Sequence, residues 1–151
     1  MFRPNLTPII IFTMLSFGTI WNAQAQSVDL SVFQWKNRLL FLFAPSPSHP
    51  QFDELHRSLA AQNAEVLDRD LVIFEILESA PSSVNSDFVD AEAAQFLRKK
   101  FNVQEGTFNV ILVGKDGGIK LRSQDQTNLN DIFSLIDAMP MRQEEMRRKR
   151  N

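Results

Sequence analysis

Two continuous apolar runs, "RLLFLFA" (residues 38–44) and "LVIFEIL" (residues 71–77), constrain this chain more than any other feature. Strands with so little polar alternation are covered on both faces, and they belong to sheets flanked by helices. The segment between them has helical signals. Ser48 or His49 is placed to cap it, and Pro50 falls in the first turn, where a missing N–H costs nothing. Asp53 and Glu54 suit the positive end of the helix dipole, and Phe52, Leu55, Leu59 and Val66 form its apolar stripe. A helix linking two such strands crosses over right-handed and leaves them parallel.

The remaining pattern completes a small α/β domain. Val28, Leu30 and Val32 alternate with Asp29, Ser31 and Phe33, which predicts a short edge strand at the start. Residues 79–87, "SAPSSVNSD", read as a polar loop, and Asp87 or Asp90 caps a helix reaching Phe101 with Ala94, Leu97 and Phe101 inward. "FNVILV" and "IKLRS" flank "GKDGG", so Asp116, Gly117 and Gly118 predict a hairpin with a type I′ turn. A last helix opens at Thr127 or Asn128, buries Leu129, Ile132, Phe133, Ile136 and Met139, and is interrupted at Pro140. Residues 141–151 continue as a charged helix or tail. The order βαβαββα resembles the thioredoxin-like layout, a four-stranded mixed sheet flanked by helices.

The N-terminus has a different character. Arg3, the mostly apolar stretch from Leu6 to Trp21, and Ala23-Gln24-Ala25 have the layout of a secretory signal peptide over residues 1–25, leaving one domain over residues 26–151. A membrane anchor fits less well, because the stretch falls short of the ~20 residues of a span and contains Pro8 and Gly18. The expected destination is periplasmic or extracellular. An exported domain is free to use disulfides. This chain has no cysteine, so its core must hold it alone, and thirteen phenylalanines, three of them in the signal segment, suit that purpose. A net charge of −2 argues against nucleic acid as a partner.

The missing thiol also excludes chemistry. Thioredoxins carry Cys-x-x-Cys between the first core strand and its helix, where the helix N-terminus favours the thiolate. Here Pro47-Ser48-His49-Pro50 occupies that place, a vacated active-site loop, and Gly106-Thr107-Phe108 stands where thioredoxins have a cis-proline. The peroxiredoxin pattern fails too, with no cysteine after Pro45. Thiol–disulfide exchange and thiol peroxidase activity are excluded.

"LVGKDGGIKLRS" (residues 112–123), "IFSLIDAMPMRQEEMR" (132–147) and "WKNRLLFLFAPS" (35–46) together resemble the prokaryotic branch of the DUDES domains, a bacterial family of unknown function. Its animal relatives include sushi-repeat and equarin-type secreted proteins. The resemblance covers the chain after residue 25. It implies a thioredoxin-like fold, an exported setting, no established enzymatic activity, and binding in preference to catalysis. Fold kinship by itself transfers no function.

Each candidate site has a plainer alternative. Ser48 and His49 suggest a nucleophile and a base, but adjacent residues on a tight loop seldom face each other, and capping explains Ser48. His49, Asp53 and His56 suggest a metal site, yet the two histidines lie two helical turns apart, and no metal or cofactor is assigned. "VGKDGG" lacks the spacing of a phosphate loop. Lys115, Lys120 and Arg122 can gather near Arg142 to bind an anion, with pairing to Asp137, Glu144 or Glu145 as the alternative. Met139, Pro140, Met141, Arg142 and Met146 form a candidate interaction surface, since methionines pack adaptably against a partner, although they also suit sealing the core. The basic run from Arg147 to Arg150 suits weak contact with an anionic surface.

The expected function is thus an exported, redox-inert binding module that engages a protein or an envelope component through the Met139–Met146 segment or through the vacated active-site groove at Pro47-Ser48-His49-Pro50. The alternatives are an enzyme using Ser48 and His49, or a degenerate thioredoxin-fold oxidoreductase.

Overall fold

The computed structural model describes residues 28–151, so the expected signal segment and its cleavage site lie outside the described residues. The elements are β1 (Arg38–Ala44), α1 (Pro50–Ala61), α2 (Asn63–Asp68), β2 (Leu71–Leu77), β3 (Ser82–Val84), β4 (Asp87–Val89), α3 (Ala91–Lys100), β5 (Asn109–Val113), β6 (Ile119–Ser123), α4 (Leu129–Asp137) and α5 (Pro140–Arg150). They form one sheet in the order β4-β3-β2-β1-β5-β6. β1 runs parallel to β2, from Arg38 opposite Leu71 to Ala44 opposite Leu77, and antiparallel to β5.

All seven residues of β1 are buried because the strand is central and covered on both faces. Leu40, Leu42 and Ala44 pack with Phe52, Leu55 and Leu59 of α1 and with Ile132, Phe133 and Ile136 of α4. Leu39, Phe41 and Phe43 face the opposite layer, with Ala94, Leu97 and Phe101. Phe41 stacks on Phe74 and Phe101 at centroid distances of 4.5 Å each. The strands β2-β1-β5-β6 are the expected thioredoxin-like four, and β3 and β4 extend the sheet beyond β2.

Several local expectations are corrected. Residues Leu30–Phe33 form a 3-10 turn and not a strand, because Asp29 Oδ1 accepts the Ser31 N–H at 2.9 Å and holds the chain curled. The first helix breaks at Gln62, leaving Val66 on α2 within the same apolar layer. The "polar loop" after β2 contains the β3–β4 hairpin, turned by Asn85 (φ 47°) and Ser86 (φ 75°), both left-handed as a two-residue I′ turn requires.

The 114–118 hairpin has a different turn. Only Gly117 is left-handed (φ 82°), and its N–H donates to Gly114 O at 2.9 Å while Gly114 N–H donates to Gly118 O at 2.8 Å. That is a tight turn followed by a left-handed glycine, not type I′. Asp116 Oδ1 accepts the Gly118 N–H at 3.0 Å, which explains an aspartate there.

The helix caps divide similarly. Asp90 and Asn128 accept N–H groups of their own first turns at 2.7 and 2.8 Å. His49 holds the cap position of α1 without a side-chain bond, and Ser48 Oγ instead meets Ser46 Oγ at 3.1 Å. Pro140 starts α5 as well as ending α4. Among the described residues, no helix is long and apolar enough to cross a membrane.

Candidate functional site

The strand–helix junction is filled by the protein's own groups. The ring of His49 stacks on Phe108, at 5.4 Å and 9° between planes, so the residue standing at the cis-proline position covers the loop. Among the described residues His49 Nδ1 is buried without a partner and Ser48 Oγ meets Ser46 Oγ, so Ser48 and His49 are not joined as nucleophile and base. At the carboxyl ends of β1 and β2, Arg98 of α3 donates to Ile76 O at 2.9 Å and Ala44 O at 3.3 Å and lies 3.0 Å from Glu78. Burial pushes this guanidinium's pKa down, against the pull of Glu78 and Glu105. Glu78 also accepts the Gly106 N–H at 2.9 Å. At the end of the sheet where α/β proteins place ligands, this internal ion pair occupies the strand ends and lines a cavity of about 370 Å³ beside α3 and the β3–β4 hairpin.

The two histidines engage different partners. His56 Nδ1 lies 2.5 Å from Glu75 Oε1, far from the His49–Phe108 stack in its contacts, while Asp53 pairs with Arg57 at 2.7 Å.

The opposite end of the sheet carries a charge network. Arg38 opens β1 and is 1% exposed. Its two terminal nitrogens donate to Glu145 of α5 at 3.1 and 3.2 Å, and one also donates to Arg69 O at 2.9 Å. Lys115, in the β5–β6 turn, reaches Glu145 at 2.7 Å and Asp70 at 2.8 Å. Arg69 joins Glu65 and Asp137, both at 2.6 Å, and lies 4.3 Å over the Phe133 ring. Arg142 donates to Asp137 at 3.0 Å, to Asp68 O at 2.7 Å and to the Asp68 carboxylate.

The directions of the pKa values follow the contacts. Burial alone raises Glu145, but Lys115 and Arg38 outweigh it and hold the carboxyl below its ordinary value. Lys149 and Arg142 lower Asp68 to about 2. Burial opposes the charge on Arg142, and Asp68 and Asp137 restore it and raise its pKa.

This network takes Arg142 out of the expected interaction surface, and it bears out pairing with Asp137 and Glu145 over the anion cluster. Arg142, 2% exposed, is spent on α2 and α4 and cannot meet a partner. Lys115 is likewise buried against Glu145 and Asp70, so no anion site forms with it. Arg142 instead docks α5. Met139 packs against the core, and Met146 is half-buried.

What stays outward is a cleft of about 470 Å³ between α4, α5 and the β5–β6 turn. Leu135, Ala138, Met139, Pro140 and Met141 wall it, and Arg38, Lys115, Asp116 and Lys120 line the other side. Leu135 and Met141 are exposed at its rim. Trp35 adds a residue that periodicity did not single out. It is 64% exposed, its N–H donates to Lys115 O at 2.6 Å, and its backbone is left-handed (φ 64°). A bulky residue there costs about 1–3 kcal/mol, held only because the surroundings dictate it. Its sequence signal was a tryptophan in a polar loop, "FQWKN", directly before a buried strand.

A family profile described as "Domain of unknown function (DUF4174)" matches residues 29–145. Coiled-coil domain-containing protein 80 of Danio rerio is 26% identical over 133 residues, covering 78% of this chain and 15% of that protein. Sushi repeat-containing protein SRPX2 of Bos taurus is 28% identical over 133 residues, covering 85% of this chain and 28% of that protein. The chain spans less than a third of the length of these relatives. Among solved structures, the reduced 2-Cys peroxiredoxin of Plasmodium vivax superposes with a TM-score of 0.55 at 12% identity, covering 78% of this chain and 85% of that one. The mitochondrial 2-Cys peroxiredoxin of Plasmodium falciparum gives 0.51 at 14%, covering 74% and 80%. At such identities the likeness shows the thioredoxin-like fold and nothing of the activity.

Proposed function

We propose that this chain, which belongs to the DUF4174 family, is an exported binding module that uses a thioredoxin-like frame as scaffold and not as redox centre. One observation carries the reading: the apolar cleft at the α4–α5 corner stands on a floor of buried, paired charges. The paired floor fixes the shape of the cleft, while Met139 and Met141 can repack around what enters it. Trp35, one hydrogen bond from cleft-lining Lys115, supplies an exposed aromatic of the kind that anchors interfaces. The occupant is a segment of another protein that presents apolar side chains to the cleft.

Other features support a binding role. The chain has no cysteine, and the junction where this fold does thiol chemistry is closed by His49, Phe108 and Arg98. The relatives carry the matched region as a minor part of a longer chain, as a module would be. The apolar N-terminal stretch followed by Ala23-Gln24-Ala25 supports export, and a mature N-terminus at Gln26 is the expected result of sequencing the native protein. Recovery of a chain starting at Met1 would contradict it.

The binding claim is tested by photo-crosslinking in cells, with the probe at Met141 or at Ser48. One defined adduct from Met141, lost on Leu135→Asp, supports the reading. Adducts from Ser48 alone, or none from either position in a folded protein, overturn it.

A further inference from the structure

A second cleft, of about 280 Å³, lies on the other side of the sheet edge, between α1, α2 and the β2–β3 pair. Leu59, Leu67, Leu71 and Ile73 supply its apolar walls. Into this lining the fold places a carboxylate and an imidazole. Glu75 is the sole charged residue of β2, on the face it shares with Ile73 and Leu77, where the strand otherwise packs apolar groups against α1. An acid in the middle of such a strand breaks the local pattern, and departures of that kind concentrate at functional sites.

Both oxygens of Glu75 are occupied. Oε1 lies 2.5 Å from His56 Nδ1, and Oε2 accepts from Ser83 Oγ at 3.2 Å. Since a carboxylate only accepts, the His56 proton must sit on Nδ1, and in the neutral ring the lone pair is then on Nε2. Stacking on Phe52, at 5.7 Å and 17° between planes, fixes the ring further. Ser83 donates to the glutamate and not to the histidine, so the trio is not a nucleophile-and-base relay. It is an oriented acceptor lining a cleft whose apolar walls are joined by Asn63, Asn85 and Ser86, and His56 is half exposed.

We propose that this cleft binds a small, uncharged, mainly apolar molecule bearing one hydroxyl, with a phenol as the simplest case, and that the hydroxyl donates to His56 Nε2. The volume suits a ring and a few substituents. The carboxylate behind the imidazole disfavours anions. The left-handed pair Asn85 and Ser86 closes the rim, with Asn85 Oδ1 accepting the Ile73 N–H at 2.9 Å and keeping the hairpin against the strand. This site is separate from the α4–α5 corner and stands or falls independently of it.

The test is a titration of the whole mature domain with 4-methylphenol, followed by NMR at about pH 8, above the ordinary histidine range. A ligand this small is expected to saturate with a Kd of roughly 1 mM. The predicted result is a shift of the His56 Nε2 resonance together with the methyls of Leu59, Leu67 and Leu71. The ether 4-methylanisole, which has no proton to donate, should bind about tenfold more weakly, and His56→Ala should weaken 4-methylphenol by the same factor. His56 is exposed enough that its replacement leaves the fold intact, which the amide spectrum verifies. Equal binding of phenol and ether, shifts confined to other surfaces, or no saturable shift overturns the proposal.

Discussion

Replacing Glu145 by glutamine tests the floor of the α4–α5 corner. The substitution keeps the shape but removes the charge facing Arg38 and Lys115, which are 1% and 8% exposed. Arg38 keeps the Arg69 carbonyl and one neutral amide oxygen but loses its counter-charge, and its Nε already lacks a partner among the described residues; Lys115 retains Asp70. Removing one member of a buried pair costs about 3–5 kcal/mol, because the remaining charge stays desolvated. Glu145 is itself partly exposed, so the low end applies, about 3 kcal/mol. For a domain of this size that lowers Tm by roughly 12 °C.

The control is Glu144→Gln on the same helix. Among the described residues Glu144 pairs with exposed Arg147 and Arg148 alone, and its loss should cost about 0.5 kcal/mol or less. Urea and thermal unfolding of the two variants decide the matter. If Glu145→Gln falls within about 1 kcal/mol of Glu144→Gln, the network is not what docks α5, and the account of the corner is wrong.

Further outcomes are expected. Asp68, held at about 2 by Lys149 and Arg142, keeps its contribution above pH 3.8 and loses it as pH falls through about 2. Its carboxylate is well exposed, so screening leaves about 1 kcal/mol, and Asp68→Asn should flatten acid unfolding over that window by this much. Gly117→Ala forces a Cβ into a left-handed turn and should cost about 1 kcal/mol by urea denaturation. Phe41→Ala, at the centre of the aromatic stack, should cost about 3–5 kcal/mol in the same assay. Trp35→Gly should leave stability unchanged or raise it by about 1 kcal/mol, relieving the left-handed tryptophan, while abolishing the Met141 adduct.

The sequence was most legible where a single residue type decides the outcome. Leu39 to Phe43 read as a doubly covered strand, and the lack of cysteine disposed of thiol chemistry at once. It was least legible where distant elements meet. Arg142 read as part of an interaction surface because it sits in the methionine-rich segment around Pro140, whereas Asp68 lies 74 residues away and buries it. The His56–Glu75 pair was hidden for the same reason, joining a helix face to a strand 19 residues on. The β3–β4 hairpin escaped because Asn85-Ser86 lacks the glycine that marks most I′ turns, and asparagine's tolerance of left-handed backbone was the only cue.

The central claim is that the α4–α5 corner, and not the vacated junction, is the working face. Amide hydrogen exchange of the mature domain, alone and bound to the partner captured from Met141, tests it most directly. The account predicts slowed exchange at residues 135–141 and in the 114–120 turn, with residues 46–50 unchanged. Protection at residues 46–50 with none at the corner would contradict it.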